Sequence, residues 1–537
     1  MDFLFPSITI PHSIFILSGF FAFLGVSSSR VLWRLYCEWK LGKEINGSEK
    51  KRAALIVGAG DAGVIVAKEL TRSPSALHPI GFIDDDPEKW NKTIQGLPVL
   101  GKTSDIASIA QKKQIKVIVI AMPSVSGATV RRIMDECKKT SAKVQIMPSL
   151  YELISGKVTP NKLRDVDVED LLRREPVKIE LGEVTPYLYN KIVMVTGAGG
   201  SIGSELCRQI ARVGPKALIL IGQGENSIYC IEQELKADYG HLNFSTTIID
   251  IKNRYVMEEI FRTYQPQVLF HTAAHKHVPL MECQPEEAVK NNAWGTKILA
   301  EQAGLWGVEK FVLISTDKAV NPTSVMGASK RFAELIVQHY AKHYKKTSFA
   351  TVRFGNVLGS RGSVIPIFKK QIAQGGPVTV THPDMVRFFM TIPEAVTLVL
   401  NAGALSRGGE IFVLDMGTPV KILDLATELI QLSGLEPGKD IEIQFSGIRP
   451  GEKLYEELNH SGETMEPTSH ERIMKIAKEI EVHSTSVLPI QQMLRMTDED
   501  LFRLNREDAV RWLEQVNPGY HWEGKESSKI RKAISQK

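Results

Sequence analysis

The chain has 537 residues, 43% hydrophobic and 24% charged, a length that implies two or three domains with ample apolar material for their cores. Its formal charge of +5 comes from 66 basic and 61 acidic residues mixed along the sequence, with no long basic block, which argues against a nucleic-acid partner. Cys37, Cys137, Cys207, Cys230 and Cys283 follow no ligand or disulfide spacing, so no metal centre and no disulfide framework are expected, and a reducing compartment fits.

The run from Ile8 to Val26 (ITIPHSIFILSGFFAFLGV) carries no formal charge over about 19 residues, close to one bilayer crossing. Asp2 is the only early charge and Val26-Ser27-Ser28 is a poor cleavage site, so the run reads as a membrane anchor and not a signal peptide. Arg30, Arg34, Lys40, Lys43, Lys50, Lys51 and Arg52 then place everything downstream in the cytoplasm, which makes a single-pass protein of the cell membrane. A hydrophobic helix packed on the soluble body is the alternative. Residues 1–45 are this anchor with its basic flank, and Gly42–Glu49 is a polar linker.

Arg52 to Val57 is an apolar strand that runs into Gly58-Ala59-Gly60-Asp61-Ala62-Gly63 and an amphipathic helix to about Leu70. Strands at Ile80–Ile83, Val117–Ala121 and Lys143–Ile146 complete a small α/β domain over about residues 51–150. Asp84-Asp85-Asp86, at the end of its second strand, offers an acid for ribose hydroxyls. Glycines that serve only a tight turn, beside an empty ligand site, fit this domain equally well. Residues 151–190 (including VDVEDLLRREPVKIE) read as a charged connector with one short helix.

A second α/β domain spans 191–480. Lys191 to Thr196 is a β-branched strand followed directly by Thr196-Gly197-Ala198-Gly199-Gly200-Ser201-Ile202-Gly203 and a helix over Ser204–Val213. In this TGxxGxxG spacing Gly197 makes the turn, Gly200 lets the backbone approach a pyrophosphate, and Gly203 brings helix against strand. Thr196, Gly197, Gly200, Ser201, Ile202 and Gly203 are therefore candidate cofactor-binding residues for a nicotinamide dinucleotide. The strand Ala217–Ile221 leads to Gln223 and Glu225, the candidate ribose-binding acid; Asp250 and Ile251 close the third strand, where an acid meets the adenine amino group. After the strand Val268–His271, Ala273 and Ala274 are small enough for a cofactor to lie on the backbone, with Asn292 on the helix beyond. The fifth strand, Phe311–Ser315, delivers Thr316, Asp317 and Lys318 to the carboxyl-end crevice where α/β sheets bind ligands. From about Asp498 the sequence (DEDLFRLNREDAVRWLEQV) has helical periodicity, and Gly524–Lys537 is a polar tail expected to be disordered; 481–537 carry no recognisable chemistry.

The TGxxGxxG turn and Lys330 resemble the extended short-chain dehydrogenases, whose signature continues with a Tyr-xxx-Lys pair. Here the slot reads Met326-Gly-Ala-Ser-Lys330, without the tyrosine. With STDKAVNPTSVMGASKR (Ser315–Arg331), HTAAHKHVPLME (His271–Glu282), RFGNVLGSRGSVIPIF (Arg353–Phe368) and RPGEKLYEEL (Arg449–Leu458), the chain resembles the membrane-associated, CapD-like nucleotide-sugar 4,6-dehydratases of polysaccharide biosynthesis over about 51–480. That family has several membrane spans before its first α/β domain, where this sequence offers one. The implied architecture is two tandem Rossmann-like doubly wound domains, the second with a small carboxyl-terminal substrate lobe.

The resemblance implies a tightly held, recycled NAD, with NADP open because Gln223 and Glu225 disfavour a 2′-phosphate only weakly. It also implies a UDP-linked N-acetylhexosamine substrate, UDP-N-acetylglucosamine first, and a homo-oligomer. C4 is oxidised, water leaves across C5 and C6, and the hydride returns to C6. Thr316 would bind the 4-hydroxyl, Asp317 as an acid would protonate the C6 hydroxyl, and Lys318 would be the C5 base, its pKa lowered by burial or by cations such as Lys330. Met326 replaces the tyrosine, and Lys330 would hold the nicotinamide ribose. Arg361, Arg387 and Arg449 suit the substrate diphosphate; Asn356, Ser363 and Glu452 suit its uridine and ribose; His275 and Lys276, with His277, face substrate or cofactor. A solvated Asp317–Lys318 pair at a loop tip is the bland reading of those two residues. Rival readings of the whole are a C4-epimerase, which would need the tyrosine, and a catalytically silent scaffold of a glycan-assembly complex.

Overall fold

The computed structural model describes residues 20–21, 23–25, 28–30, 52–72, 77–148, 163–172, 181–460, 463–477 and 484–522. The apolar run Ile8–Val26 lies largely outside these residues, as do the linker 42–49, much of the connector and the polar tail 524–537. Among the described residues no helix is long and apolar enough to cross a membrane. The chain divides, apart from Ser126–Ala128, into two compact units in sequence between Val166 and Asp167.

The first unit is a seven-stranded sheet: β1 (Arg52–Val57), β2 (Leu77–Ile83), β3 (Thr93–Ile94), β4 (Leu97–Gly101), β5 (Val117–Ile120), β6 (Lys143–Ile146) and β7 (Arg164–Asp165), ordered β3-β4-β2-β1-β5-β6-β7. β1 is buried from Ala54 to Val57 because it is the central strand, covered on both faces. The β3–β4 hairpin and β7 were not anticipated; both are two- to five-residue strands on the rim, too short to leave an alternating pattern. Gly58 sits at φ +103°, and a Cβ on Gly63 would lie 1.9 Å from the Gly58 carbonyl oxygen, so the turn requires both glycines. Asp84 does not offer a free carboxylate for ribose. Its Oδ2 accepts from the Ala59 amide at 2.8 Å, its Oδ1 from the Asp86 amide at 2.9 Å, and Lys89 Nζ lies 3.2 Å away. Asp85 is likewise engaged, by Thr103 and Arg132.

The second unit is built on a nine-stranded sheet: β8 (Ile192–Thr196), β9 (Ala217–Gly222), β10 (Phe244–Ile248), β11 (Val268–His271), β12 (Lys310–Ile314), β13 (Ser348–Arg353), β14 (Glu410–Leu414), β15 (Met465–Pro467) and β16 (Ile473–Ile476). The order β10-β9-β8-β11-β12-β13-β14-β16-β15 is parallel as far as β14, and β16 and β15 close one edge antiparallel. The strand order reverses between β8 and β11, and the crevice at their carboxyl ends is where such sheets bind ligands. β10 ends at Ile248, so Asp250 and Ile251 lie in the turn beyond it and not on the strand. A separate apolar cluster containing Leu358, Phe368, Leu425 and Leu429 forms the core of the carboxyl-terminal lobe. The connector differs from expectation: besides β7, it carries helices at Val168–Leu172 and Leu181–Leu188. The carboxyl-terminal region forms helices Ser484–Arg495, Asp498–Arg503 and Arg506–Val516, the last capped by Asn505, and buries Met493, Leu513 and Val516 in the main core.

One buried ion cluster ties three of these segments. Arg353, at the end of β13 and fully buried, donates to Glu334 Oε1 and Oε2 at 2.9 and 2.8 Å and to Glu463 Oε2 at 2.8 Å. Glu334 also accepts from Ser315 Oγ at 2.6 Å and from Arg331 Nη1 at 2.9 Å. Burial alone would raise the Glu334 pKa, but Arg353, Arg331 and Ser315 hold it down at about 2. Arg353→Met should therefore destabilise the second unit by about 3–5 kcal/mol, because Glu463 is left buried without this cation and Glu334 keeps only Arg331. Wild-type denaturation midpoints should be insensitive to Glu334 above its ordinary pKa of 4.5 and fall as pH drops toward about 2, whereas the Arg353→Met protein should lose that part of the acid dependence. Chemical denaturation followed across pH checks both.

Candidate active site

The glycine turn follows β8 as expected, but the helix behind it begins three residues earlier, at Ser201, and runs to Val213. Gly197 adopts φ +70°, and its missing Cβ would lie within 2.9 Å of Thr272 and Ala273; a Cβ on Gly203 would lie 2.2 Å from the Gly197 carbonyl oxygen. These contacts hold the helix start hard against the strand ends. Gly200 caps the helix with no side-chain acceptor, so the first-turn amides face the cleft lined by Gly200, Ser201, Ile202 and Gly203. A glycine cradle and open helix amides fit the diphosphate of a dinucleotide.

Thr196 is placed differently from expectation. It is fully buried, its Oγ1 paired with His271 Nδ1 at 2.8 Å and its carbonyl accepting from Thr272 Oγ1 at 2.7 Å, so it braces the turn from beneath. Burial, with Lys330 nearby, pushes His271 down to about 3 and keeps that imidazole neutral. Ile251 is also a core residue, packed under Gly295, whose Cβ would lie 2.6 Å from it. Glu225 is exposed on the first turn of the helix Glu225–Tyr239, and Asp250 pairs with Lys252 and Gln223. With Ala273 they stand outside the lining of the main cleft, whereas Ala274 is part of it.

That cleft, about 700 Å³, brings together Thr316, Lys318, Met326 and Lys330. The chain bends sharply after β12 into a short helical turn, Asp317–Ala319, capped by Thr316. Thr316 Oγ1 donates to Asp317 Oδ1 at 2.8 Å, and Lys318 Nζ reaches the same oxygen at 3.0 Å. Asp317 is fully buried and its Oδ2 has no hydrogen-bond partner, so this is no solvated loop-tip pair. Lys318 Nζ also donates to Asn356 Oδ1 at 3.1 Å and lies 3.6 Å from Glu456 Oε1.

The expected lowering of the Lys318 pKa is not found. Burial and Arg387 lower it, yet Asp317 and Glu456 outweigh them and hold the side chain as an ammonium; the opposing cation is Arg387, not Lys330. Lys330, by contrast, is lowered to about 8 by burial, against the pull of Glu334. Its Nζ donates to the Ile314 carbonyl at 2.6 Å, which fixes the amine at the cleft wall. The helix Val325–His343 starts where Ser324 Oγ accepts from the Gly327 amide and Glu282 Oε1 from the Val325 amide. Met326 and Lys330 are one turn apart and both line the cleft, so the methionine stands where an i−4 tyrosine would.

On the substrate side, Asn356, Arg361, Ser363, Arg387, Arg449 and Glu452 all line the cleft, as do His275, Lys276 and His277. Ser363 Oγ is buried and without a partner, free for a ligand. Arg361 lies against the glycine turn, its guanidinium on the Gly199 carbonyl at 3.1 Å and its amide on Ser201 Oγ at 3.2 Å, closer to the cofactor side than expected. Arg387 spends two nitrogens on the carbonyls of Val386, Leu454 and Lys453, and its charge faces Glu452 and Glu456 at 3.7 Å each. It therefore shapes the lobe as well as the cleft. Glu456 was not anticipated. Its position four residues after Glu452, inside RPGEKLYEEL, was the available signal.

This fold and site define an extended short-chain dehydrogenase. A family model described as polysaccharide biosynthesis protein matches residues 193–478, and one described as a CoA-binding domain matches 12–148. The chain is 50% identical over 453 residues to the capsular polysaccharide biosynthesis protein CapD of Staphylococcus aureus, covering 84% of this chain and 75% of that one. It is 52% identical over 442 residues to the probable polysaccharide biosynthesis protein EpsC of Bacillus subtilis, covering 82% and 73%. The X-ray structure of Pen from Bacillus thuringiensis superposes with a TM-score of 0.51 at 33% identity, over 55% of this chain and 90% of that one. The chain belongs to the CapD-like polysaccharide biosynthesis protein family.

The two inner glycines make separable predictions. A Cβ on Gly200 meets only the Gly197 carbonyl oxygen, at 3.1 Å, so Gly200→Ala should fold and yet weaken dinucleotide binding by at least about tenfold, ~1.4 kcal/mol. Gly203→Ala should lose both binding and thermal stability. Calorimetric titration with a melting curve for each variant tells them apart.

Proposed function

We propose that the protein is a nucleotide-sugar 4,6-dehydratase that uses NAD(P) and converts UDP-N-acetylglucosamine to a UDP-4-keto-6-deoxy-N-acetylhexosamine for polysaccharide synthesis. The observation that carries the reading is the joint presence, on one cleft wall, of a methionine in the tyrosine slot and of Thr316 and Lys318, both hydrogen-bonded to the buried Asp317 carboxylate behind them, the amine 3.0 Å from it. An epimerase needs one group that removes and returns a single proton. An elimination needs an acid and a base as well, and these residues supply them.

Gly197, Gly200, Gly203 and the first-turn amides would hold the diphosphate of the cofactor, Lys330 its nicotinamide ribose, and Arg361 closes over the turn. When bound, NAD(P) supplies a reversible two-electron oxidation at C4, which makes the C5 proton acidic and is undone at C6. Thr316, donating to Asp317, is set to relay the 4-hydroxyl proton onto that carboxylate. Asp317 then holds the proton the C6 hydroxyl needs in order to leave as water. Lys318 takes the C5 proton once its amine is free. The 4-hydroxyl proton thus ends in the departing water, and the cofactor is regenerated within one turnover. The apolar run Ile8–Val26 with its basic flank supports a membrane anchor and a cytoplasmic position for this chemistry.

Incubated with UDP-N-acetylglucosamine and NAD(P) in deuterated water, the protein should yield a product lighter by one water and deuterated at C5. An unchanged sugar bound beside the cofactor would favour the silent scaffold, and an isomer of the same mass the epimerase. Lys318→Met should abolish C5 exchange, and Asp317→Asn should slow turnover by about 10²–10⁴-fold, each with dinucleotide binding intact. Mass spectrometry of the nucleotide-sugar pool reads the loss of water and the deuterium, proton NMR separates an isomer from unchanged sugar, and calorimetric titration reads dinucleotide binding.

A further inference from the structure

The proton balance of this site leaves one proton without a recipient. If Asp317 receives the 4-hydroxyl proton, it cannot also take the one Lys318 carries at rest, and Lys318 cannot accept from C5 until that proton has gone. Asn356, its other close partner, is an amide and takes no proton. Glu456 is what remains within reach: its side chain is 3% exposed, its Oε1 lies 3.6 Å from Lys318 Nζ, and its Oε2 is buried without a hydrogen-bond partner.

A second, smaller cavity of about 100 Å³ is lined by both Lys318 and Glu456, together with Arg387, Arg449, Glu452 and Lys453. A water needs roughly 10–15 Å³ of such space, so the cavity can hold one that bridges a separation too long for a direct hydrogen bond. Its wall includes the exposed Thr323 and Arg449, so it leads toward solvent by a route other than the cofactor side of the main cleft.

We propose that Glu456 is the proton-exchange partner of Lys318. The inference rests on the dehydratase reading. An N–H bond of the Lys318 ammonium breaks and an O–H bond forms on the Glu456 carboxylate, the proton passing through one bridging water, which leaves a neutral amine beside a neutral acid. Lys318 then takes the C5 proton, later returns one to C5, and recovers its own from Glu456. Net charge is unchanged throughout and no co-reactant is consumed. Glu456 touches neither substrate nor cofactor in this scheme and is a positioning residue for the proton.

The surroundings favour such an exchange. Burial, with Asp317 adding its charge, raises the Glu456 pKa, while Lys318, Arg387 and Lys453 pull it down without prevailing. The carboxyl is thus easily protonated, and it faces a lysine whose charge it helps to hold. Arg387 faces both glutamates at 3.7 Å, but Glu452 is the poorer partner: its carboxylate accepts from the Arg449 amide at 3.3 Å, and among the described residues the ion pairs of Lys318 are with Asp317 and Glu456.

The test is the pH profile of dehydration by the full chain and by its Glu456→Gln and Glu456→Asp variants. With Glu456 in place, kcat should be flat over about pH 7–9, because the amine is produced internally. In Glu456→Gln, kcat should fall at least about tenfold at neutral pH and climb with pH, since only solvent can then remove the proton; KM and dinucleotide affinity should hold. Glu456→Asp should restore part of the plateau. A Gln variant with wild-type kcat and a flat profile overturns the proposal, as does equal loss in Gln and Asp accompanied by raised KM, the mark of a structural role. If the wild-type protein leaves UDP-N-acetylglucosamine intact, the dehydratase reading fails by itself. Glu456 is then judged by the pH dependence of Lys318 reductive methylation, read by peptide mass spectrometry: a lower Lys318 pKa in Glu456→Gln supports the coupling, and an unchanged one refutes it.

Discussion

The arrangement depends on a cation buried away from the cleft lining. Arg353, at the carboxyl end of β13, grips Glu334 on the helix that carries Met326 and Lys330, and Glu463 in the segment that follows RPGEKLYEEL. Through Glu334 the same cluster reaches Ser315, the residue before Thr316. Strand end, cofactor helix and substrate-lobe segment are thereby fixed to one buried point. A buried ion cluster is a poor source of net stability, since an apolar replacement of equal volume commonly does as well. What it provides is registry: two carboxylates and one guanidinium fork are satisfied in one arrangement only, and that arrangement puts Lys318 and Lys330 on the same cleft wall.

From that point outward the electrostatics divide the two lysines. Lys330 is buried beside a carbonyl oxygen, and burial carries its pKa down toward neutrality. Lys318 has two carboxylates around it and stays charged. Burial lowers both, and the carboxylates around Lys318 reverse the direction there, so one cleft holds two lysines shifted in opposite senses. Asp317 is one of those carboxylates. Its Oδ1 is shared by Thr316 and Lys318, and its buried Oδ2 is left without a hydrogen-bond partner.

Much of this was legible in the residues. β1 falls where the apolar run placed it and β6 where a strand was expected, and the glycine turn, the bend after β12 and the Met326–Lys330 spacing are local features that local sequence specifies. What was not legible is what depends on partners distant in sequence. Thr196 looked like a cofactor contact because it belongs to the turn motif, but β11 lies beside it and His271 takes its hydroxyl. Asp84 looked like a ribose acid because it ends a second strand, yet it closes on its own glycine turn. The charge state of Lys318 depends on Glu456, 138 positions away in the chain, and adjacency to Asp317 alone could not fix it.

The two glycine turns show what such a motif does and does not say. In both units a helix glycine packs on the carbonyl of the turn glycine, at 1.9 Å from a would-be Cβ in one and 2.2 Å in the other, so the steric reason for the motif is common to both. They part at the residues around the turn. In the second unit the first-turn amides open onto a cleft that also holds Thr316, Lys318 and Lys330. In the first, the Ala59 amide is capped by Asp84, and Asp61 stands in the first turn of the helix. Glycines fix how closely a helix can approach a strand; the charges gathered at that junction decide whether an anionic ligand is welcome there.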